Sequence, residues 1–265
     1  MPSGDLMEWW FNKIPIGAVI LETLVASILI VLTLFVFKKY IERKKKPGLY
    51  LGLTFLSFTL ASMTTAIGRW IGYFSPIDYL DLSITDLTTL LSYIFIAISN
   101  CFAVIFVDSI FFNKGIDFTF PFVLVNGAII GLLLPQIYTW IYVDQSFGSI
   151  RQKSVQLIVI SLSLLSLISY GLISVFSFRE SRLSTEHFHK VGFILIGLYG
   201  IFIPLLFLSF AGDTLLISNV SAFSKGYTPF YYLGWVFALI GIILGYLGYI
   251  MPKWFKLLIN KVGES

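Results

Sequence analysis

Apolar residues in this chain gather into seven long runs, each closed by charged or turn-forming residues. The runs cover 14–37, 49–74, 87–112, 118–142, 155–178, 191–210 and 230–251. A bilayer core of about 30 Å needs roughly 20 apolar residues of helix, and every run reaches that length. Backbone groups must satisfy one another inside lipid, and the alternation suited to a barrel is absent, so each run predicts an α-helix. A shorter pattern follows at 253–262. Lys253, Lys256, Asn260, Lys261 and Glu264 fall within about 140° of a helical wheel at roughly 100° per residue. Trp254, Phe255, Leu258, Ile259 and Val262 cover the rest, with Leu257 intruding on the polar arc. That pattern predicts an amphipathic helix lying on the membrane, with Lys253, Trp254, Lys256 and Lys261 meeting anionic lipid. The expected fold is all-α: one seven-helix membrane domain over 1–265.

Composition agrees. The chain is 57% hydrophobic and 12% charged, with a mean hydropathy of +0.90. Soluble domains carry about 25% charged residues, roughly double this value. A lone cysteine, Cys101, lies inside the third run and forms no intramolecular disulfide; it reads as a small buried hydrophobe. The opening "MPSGDLMEWWFNK" lacks the basic region of a signal peptide, so the first run is expected to remain as a helix.

The basic residues carry a direction. With seven spans, one side receives Lys38, Lys39, Arg43, Lys44, Lys45, Lys46, Lys114, Arg179, Arg182, Lys190, Lys253, Lys256 and Lys261. The other receives only Lys13, Arg69, Arg151, Lys153 and Lys225 of the 18. Lys and Arg accumulate on cytoplasmic loops, which places the N-terminus outside and the C-terminus inside. Omitting a span would scramble this asymmetry. Trp9, Trp10, Trp70, Tyr73, Trp140 and Tyr142 fall near the expected outer ends, as amphipathic rings should. The pI near 9.0 is thereby explained as a topology signal, and no nucleic-acid partner is expected. A multi-pass protein of the cell (plasma) membrane is the expectation.

Catalytic chemistry finds little support. Both histidines, His187 and His189, sit in the short loop "SFRESRLSTEHFHKV", where metal ligands do not converge. No metal site is expected. A Gly-x-Ser-x-Gly nucleophile motif is absent, as is a mid-membrane base to activate a serine. The seventh run, "FYYLGWVFALIGIILGYLGYIM", contains no lysine, which removes the amine a covalent retinal needs. It also lacks Asn-Pro-x-x-Tyr, and the third run ends "VDSIFFNKG" without Asp-Arg-Tyr, unlike animal G-protein-coupled receptors. No enzyme activity and no cofactor are predicted.

Ionisable residues inside a membrane are costly and are functional candidates for that reason. Glu22 lies eight residues into the first run, about 12 Å along a helix. Its expected partner is Arg69, with Asp86 as competitor. Two readings stand: Glu22 and Arg69 line an outward-facing ligand pocket or sensitive pair, or they pin helices together as a structural pair, the glutamate otherwise being held protonated by burial. The expected pocket lining is Glu22, Arg69, Trp70, Asp86, Gln136, Trp140, Tyr232 and Trp235. Asp108, near the inner end of the third run, is either a helix-end charge or half of a latch with Arg179 or Arg182. Pro135 and Pro204 interrupt backbone bonding in the fourth and sixth runs, and Pro204 is a candidate hinge. Asn100, Asn126 and Gln136 need polar partners. Serines along the fifth run, and the pairs Gly68/Gly72, Gly127/Gly131 and Gly241/Gly245, read as helix-packing features.

Three stretches carry a resemblance. They are "KKYIERKKKPGLYLGLTF" after the first run, "FPFVLVNGAIIG" opening the fourth, and the exit Met251-Pro252-Lys253-Trp254-Phe255. The layout resembles the seven-helix sensor modules at the N-termini of prokaryotic sensor histidine kinases. That resemblance covers the whole chain and is architectural. It implies a receptor or sensor that binds a small apolar or amphipathic ligand. An output domain would follow Phe255 in such modules, whereas this sequence stops at Ser265, so signalling is expected to reach a separate partner in trans. A transporter or channel component, or a structural membrane subunit, is the alternative.

Overall fold

The computed structural model describes residues 14–74, 78–112, 119–142, 148–219 and 227–263; within these, the side chains of 78–86, 139–142, 148–156, 214, 217–219 and 260–263 are outside the description. Eight helices follow in order: α1 Ile16–Arg43, α2 Lys46–Phe74, α3 Asp78–Phe111, α4 Thr119–Tyr142, α5 Gly148–Leu183, α6 His187–Asn219, α7 Pro229–Ile250 and α8 Lys253–Gly263. Seven, α1 to α7, are long and apolar enough to cross a membrane. Several outrun the apolar run that predicts them, α5 at both ends. Helical hydrogen bonding does not stop where lipid stops, so polar ends simply project beyond the apolar zone.

Local chemistry sets the junctions. Pro15 is extended (φ −61°, ψ 129°) and opens α1, its carbonyl accepting from Ala18 N at 2.9 Å. Lys44 closes α1 in the left-handed region at φ 50°, leaving only Lys45 before α2. Thr228 caps α7: its Oγ1 accepts from Phe230 N at 3.2 Å, and Pro229 fills the first turn, where no amide partner is needed. Met251 ends α7 at φ 47°, and Pro252 prevents continuation before α8 begins.

Six helices form a ring in the order α1, α2, α3, α5, α6, α7, closing through contact of α7 with α1. α4 is held outside the ring by α3 and α5. Only 22% of its most apolar stretch is buried, against 61% for α2, which identifies α4 as the peripheral helix. Phe120, Leu124, Leu132, Leu134 and Tyr138 of α4 are exposed, as are many apolar residues of α1 and α5. In water this surface would be a large liability; in lipid it is the expected exterior.

Small residues bring some helices together and not others. A Cβ at Gly200 of α6 would meet Tyr170 O at 2.6 Å and Ser174 N at 2.7 Å, so α5 and α6 touch backbone to backbone there. At Gly245 of α7 it would meet the Tyr199 and Phe55 rings at 3.1 and 3.2 Å. The pair Gly127/Gly131 corrects the sequence expectation, since a Cβ at either meets nothing within 4 Å. α4 lies outside the ring and turns these glycines away from it. The serines of α5 donate to carbonyls one turn back, as Ser161, Ser163, Ser166 and Ser169 do at 2.7–2.9 Å. The hydroxyls of these four are thus satisfied within the helix, whereas Ser177 Oγ is buried without a partner among the described residues. α4 and α6 both continue through their prolines, Pro135 and Pro204.

Candidate functional site: a closed polar joint between α1, α2 and α7

Glu22 projects from the first third of α1 between α2 and α7 and is 1% exposed. Burying a carboxylate in hydrocarbon-like surroundings costs several kcal/mol unless cations and donors surround it. Three residues of α2 and α7 surround it. Tyr231, in the first turn of α7, donates its hydroxyl to Glu22 Oε1 in a short hydrogen bond. Arg69 of α2 places Nε 3.6 Å from the same oxygen, with 20% of its side chain still exposed. Trp235, one turn beyond Tyr231 on the same α7 face, is buried beside them.

The remaining valences are uneven. Among the described residues, Glu22 Oε2, Arg69 Nε and Trp235 Nε1 are buried without a hydrogen-bond partner. Such groups cost about 1–3 kcal/mol each when left unmade. The joint therefore gathers an acceptor and two donors at one place whose geometry falls short of full hydrogen bonds. A small rearrangement, or a small polar group, can satisfy them.

Aromatic residues wall this joint. The Arg69 guanidinium lies 5.4 Å from the centroid of Tyr227, which precedes α7 with φ 58°. A left-handed backbone at a large aromatic residue is unfavourable and persists only when its surroundings hold it. Here the ring is fixed edge-on against Tyr231 at 5.1 Å, and the next amide, Thr228 N, donates to Asp213 Oδ1 at 3.0 Å. Burial pushes the Tyr227 phenol above its usual range, against the pull of Arg69, so it stays a neutral donor at physiological pH. Phe210 of α6 packs on both Tyr231 and Trp235, at 6.0 and 5.7 Å. Trp70 Nε1 donates to Thr23 Oγ1 at 2.8 Å, tying α2 to α1 one residue along from the ion pair.

The structure thus gathers Glu22, Arg69, Trp70 and Trp235 of the expected lining. Tyr232 is half-buried beside Tyr231, edge-on at 5.5 Å, and faces Gly17 instead of the carboxylate. Gln136 lies on peripheral α4, which packs on α3 and α5. The side chains of Asp86 and Trp140 lie outside the described residues. Tyr231, Tyr227 and Thr23 are the additions. Their signal in the sequence is thin: Tyr231 and Trp235 share a helical face at i, i+4, and a buried carboxylate needs donors.

In this arrangement the Glu22 carboxylate is enclosed by Tyr231, Trp235 and Arg69. The two cavities described lie at the other end of the bundle. One, of about 210 Å³, is lined by Asp108, Thr119, Phe112 and Phe176 among others. The second, of about 360 Å³, lies between Arg43, Glu186, His189, Tyr249 and Lys256. Arg179 and Arg182 are exposed on the last turns of α5. Pro204 lies half-buried in α6, between Ile203 and Leu206 of the core.

A second polar layer crosses the middle of the bundle. Ser99 of α3 donates to Thr54 O at 3.1 Å, and its oxygen lies 3.0 Å from the hydroxyl of Tyr170 on α5. Tyr199 of α6 meets Tyr170 edge-on at 5.6 Å. Asn100 Nδ2 donates to Ser166 Oγ at 2.9 Å, again joining α3 to α5. All these groups are buried, and each pairing is direct, without room for a chain of water between partners. Asn126 donates to Phe122 O of its own helix at 3.0 Å.

Metal-ligating clusters of three or more His, Cys, Asp or Glu are absent among the described residues. His189 pairs with Glu186 at 3.1 Å on the exposed surface. No protein-family model, curated protein or solved structure matches this chain.

Proposed function

We propose that this is a seven-helix receptor or sensor of a prokaryotic cell membrane, with its N-terminus outside, whose two-state element is the Glu22–Arg69–Tyr231 joint. The observation that carries the reading is the joint's incomplete satisfaction: a carboxylate buried at 1% exposure keeps Oε2 unpaired beside Arg69 Nε and Trp235 Nε1. A purely structural pin is stable in proportion to how fully its groups are paired. This one ties three helices from separate parts of the chain and leaves hydrogen-bonding capacity in reserve.

A small amphipathic ligand arriving from the outside completes those bonds and parts α7 from α1 and α2. Differential affinity for the parted arrangement is what such a ligand must supply. The change then reaches the other end of the bundle through α7, which leads directly into α8 and its basic face. Output passes to a separate membrane or cytoplasmic partner there. What favours a sensor over a transporter is the mid-bundle layer, where Ser99, Tyr170, Asn100 and Ser166 bond each other directly and offer no hydrated path.

The test is the spacing of α2 and α7 in lipid nanodiscs, for the native protein and Glu22→Gln. A sensor built on this joint redistributes between two spacings when the carboxylate loses its charge; a fixed ion-pair pin keeps one.

A further inference from the structure

The larger cavity lies at the end of the bundle away from Glu22, where α1, α6, α7 and α8 meet, and encloses about 360 Å³. Its mouth and its floor differ in chemistry. Arg43, from the last turn of α1, and Lys256, from α8, stand at the mouth, and both are exposed. Neither makes a salt bridge among the described residues, whereas the carboxylate on the same rim, Glu186, is already engaged by His189. The Lys256 ammonium is held over the Phe188 ring at 5.5 Å, which keeps it at the opening. Deeper in, Phe193 and Ile196 line the walls.

Gly192 and Gly248 line the floor, where α6 and α7 cross without side chains between them. A Cβ on Gly248 of α7 would come 2.8 Å from Gly192 O of α6, and one on Gly192 would come 3.0 Å from Gly248 O and 3.2 Å from Met251 Cε. The crossing is therefore tight, and the space beside it stays unfilled.

We propose that this cavity is a specific site for an anionic phospholipid, its phosphate between Arg43 and Lys256 and the start of its acyl chain against Phe193 and Ile196. Two cations from different elements, neither in a salt bridge among the described residues, match a phosphate. A free phosphate would leave the apolar depth empty, whereas an amphiphile fills both halves. The location fits as well. α8 carries Trp254, Leu257 and Leu258 at 58, 65 and 53% exposure beside the mouth, an apolar face suited to the interfacial zone of the same leaflet. The bound lipid would clamp α8 to the ends of α1 and α6. This site is independent of the sensor reading and stands or falls separately.

The experiment uses the full chain purified in detergent and titrated with dioleoyl phosphatidylglycerol, dioleoyl phosphatidylcholine or inorganic phosphate, reading the melting midpoint. Native mass spectrometry counts retained lipid on the same samples. Phosphatidylglycerol is expected to raise the midpoint by about 4 °C over phosphatidylcholine, with one molecule retained. Arg43→Gln with Lys256→Gln removes the shift and the retained molecule. Lys45→Gln and Lys46→Gln, which alter charges at the same end outside the cavity, leave both in place. Equal loss in the control pair would reduce the effect to general surface charge and overturn the proposal. An equal shift with inorganic phosphate would overturn the assignment to lipid. Should the double variant be unstable, the single Arg43→Gln is read instead, and full retention of the lipid and of the shift there with a normal fold would also count against the site.

Discussion

Tyr231 donates its hydroxyl proton to Glu22 across 209 positions of sequence, and that bond closes α7 onto α1. The two residues lie in the opening turns of their helices, which therefore run parallel with their first ends together. Arg69 approaches the same oxygen from α2, so a single atom, Glu22 Oε1, joins three helices. Everything proposed for function rests on that atom being shared.

Tyr231→Phe removes the hydroxyl that donates to Glu22 Oε1. The expected cost is about 1–3 kcal/mol, since a buried acceptor is left unmade. Arg69→Met costs more, about 3–5 kcal/mol, because the charge of Glu22 loses its counter-ion. Pairing Arg69→Met with Glu22→Leu recovers most of that loss, as apolar replacements of a buried pair often do. Thermal unfolding in one detergent ranks the variants. A double variant no better than Arg69→Met alone would mean that the pair is not coupled.

The mid-bundle layer should behave as modest glue. Tyr170→Phe and Ser99→Ala are each expected to cost about 1 kcal/mol, with a coupling near 0.6 kcal/mol in a double-variant cycle, the usual size for membrane hydrogen bonds. Additive losses would show that the 3.0 Å contact between Ser99 and Tyr170 carries no energy of its own.

Glycines at the α5–α6 contact and on α4 should respond in opposite ways. Gly200→Ala forces a Cβ to within 2.6–2.7 Å of α5 backbone atoms, which must separate; about 1–3 kcal/mol is the expected penalty. Gly127→Ala and Gly131→Ala face open space and gain helix propensity, up to about 1 kcal/mol in a helix interior. Melting midpoints therefore fall for the first and hold or rise for the other two. A fall at Gly131 would show that α4 has a packing partner on that face, such as a second copy.

The orientation is checked with single cysteines in a Cys101→Ser background. Lys45→Cys, in the α1–α2 turn, should resist a membrane-impermeant maleimide in intact cells and react after lysis. Lys225→Cys should react in intact cells. The reverse pattern would invert the assignment of the positive side.

How much of this was legible beforehand depends on the kind of information. Seven helices followed from run length alone, because lipid imposes that length on any spanning segment. Helix ends did not, since α5 runs from Gly148 to Leu183 through serines and charges that carry no stop signal. Glu22 and Arg69 stood out because charges in apolar runs are expensive. Tyr231 does not, being one of several aromatic residues opening α7, and the sequence points to Tyr232 in its place; only the register with Trp235 separates them. Gly127 and Gly131 have the spacing of a packing seam, yet their role turns on where α4 sits in the bundle. That is settled by the α3–α5 contact, a tertiary relation without a local signature.

The most direct test measures the α2–α7 distance by pulsed electron resonance, with spin labels at Ile67→Cys and Leu233→Cys in a Cys101→Ser background. Both positions face outward, at 51 and 41% exposure. In nanodiscs the native joint should give one dominant short distance. Glu22→Gln and Tyr231→Phe should each add a second, longer population while the helical content is unchanged. A single distribution, identical in all three proteins, would contradict the claim that this joint is a switch and would leave it a fixed pin.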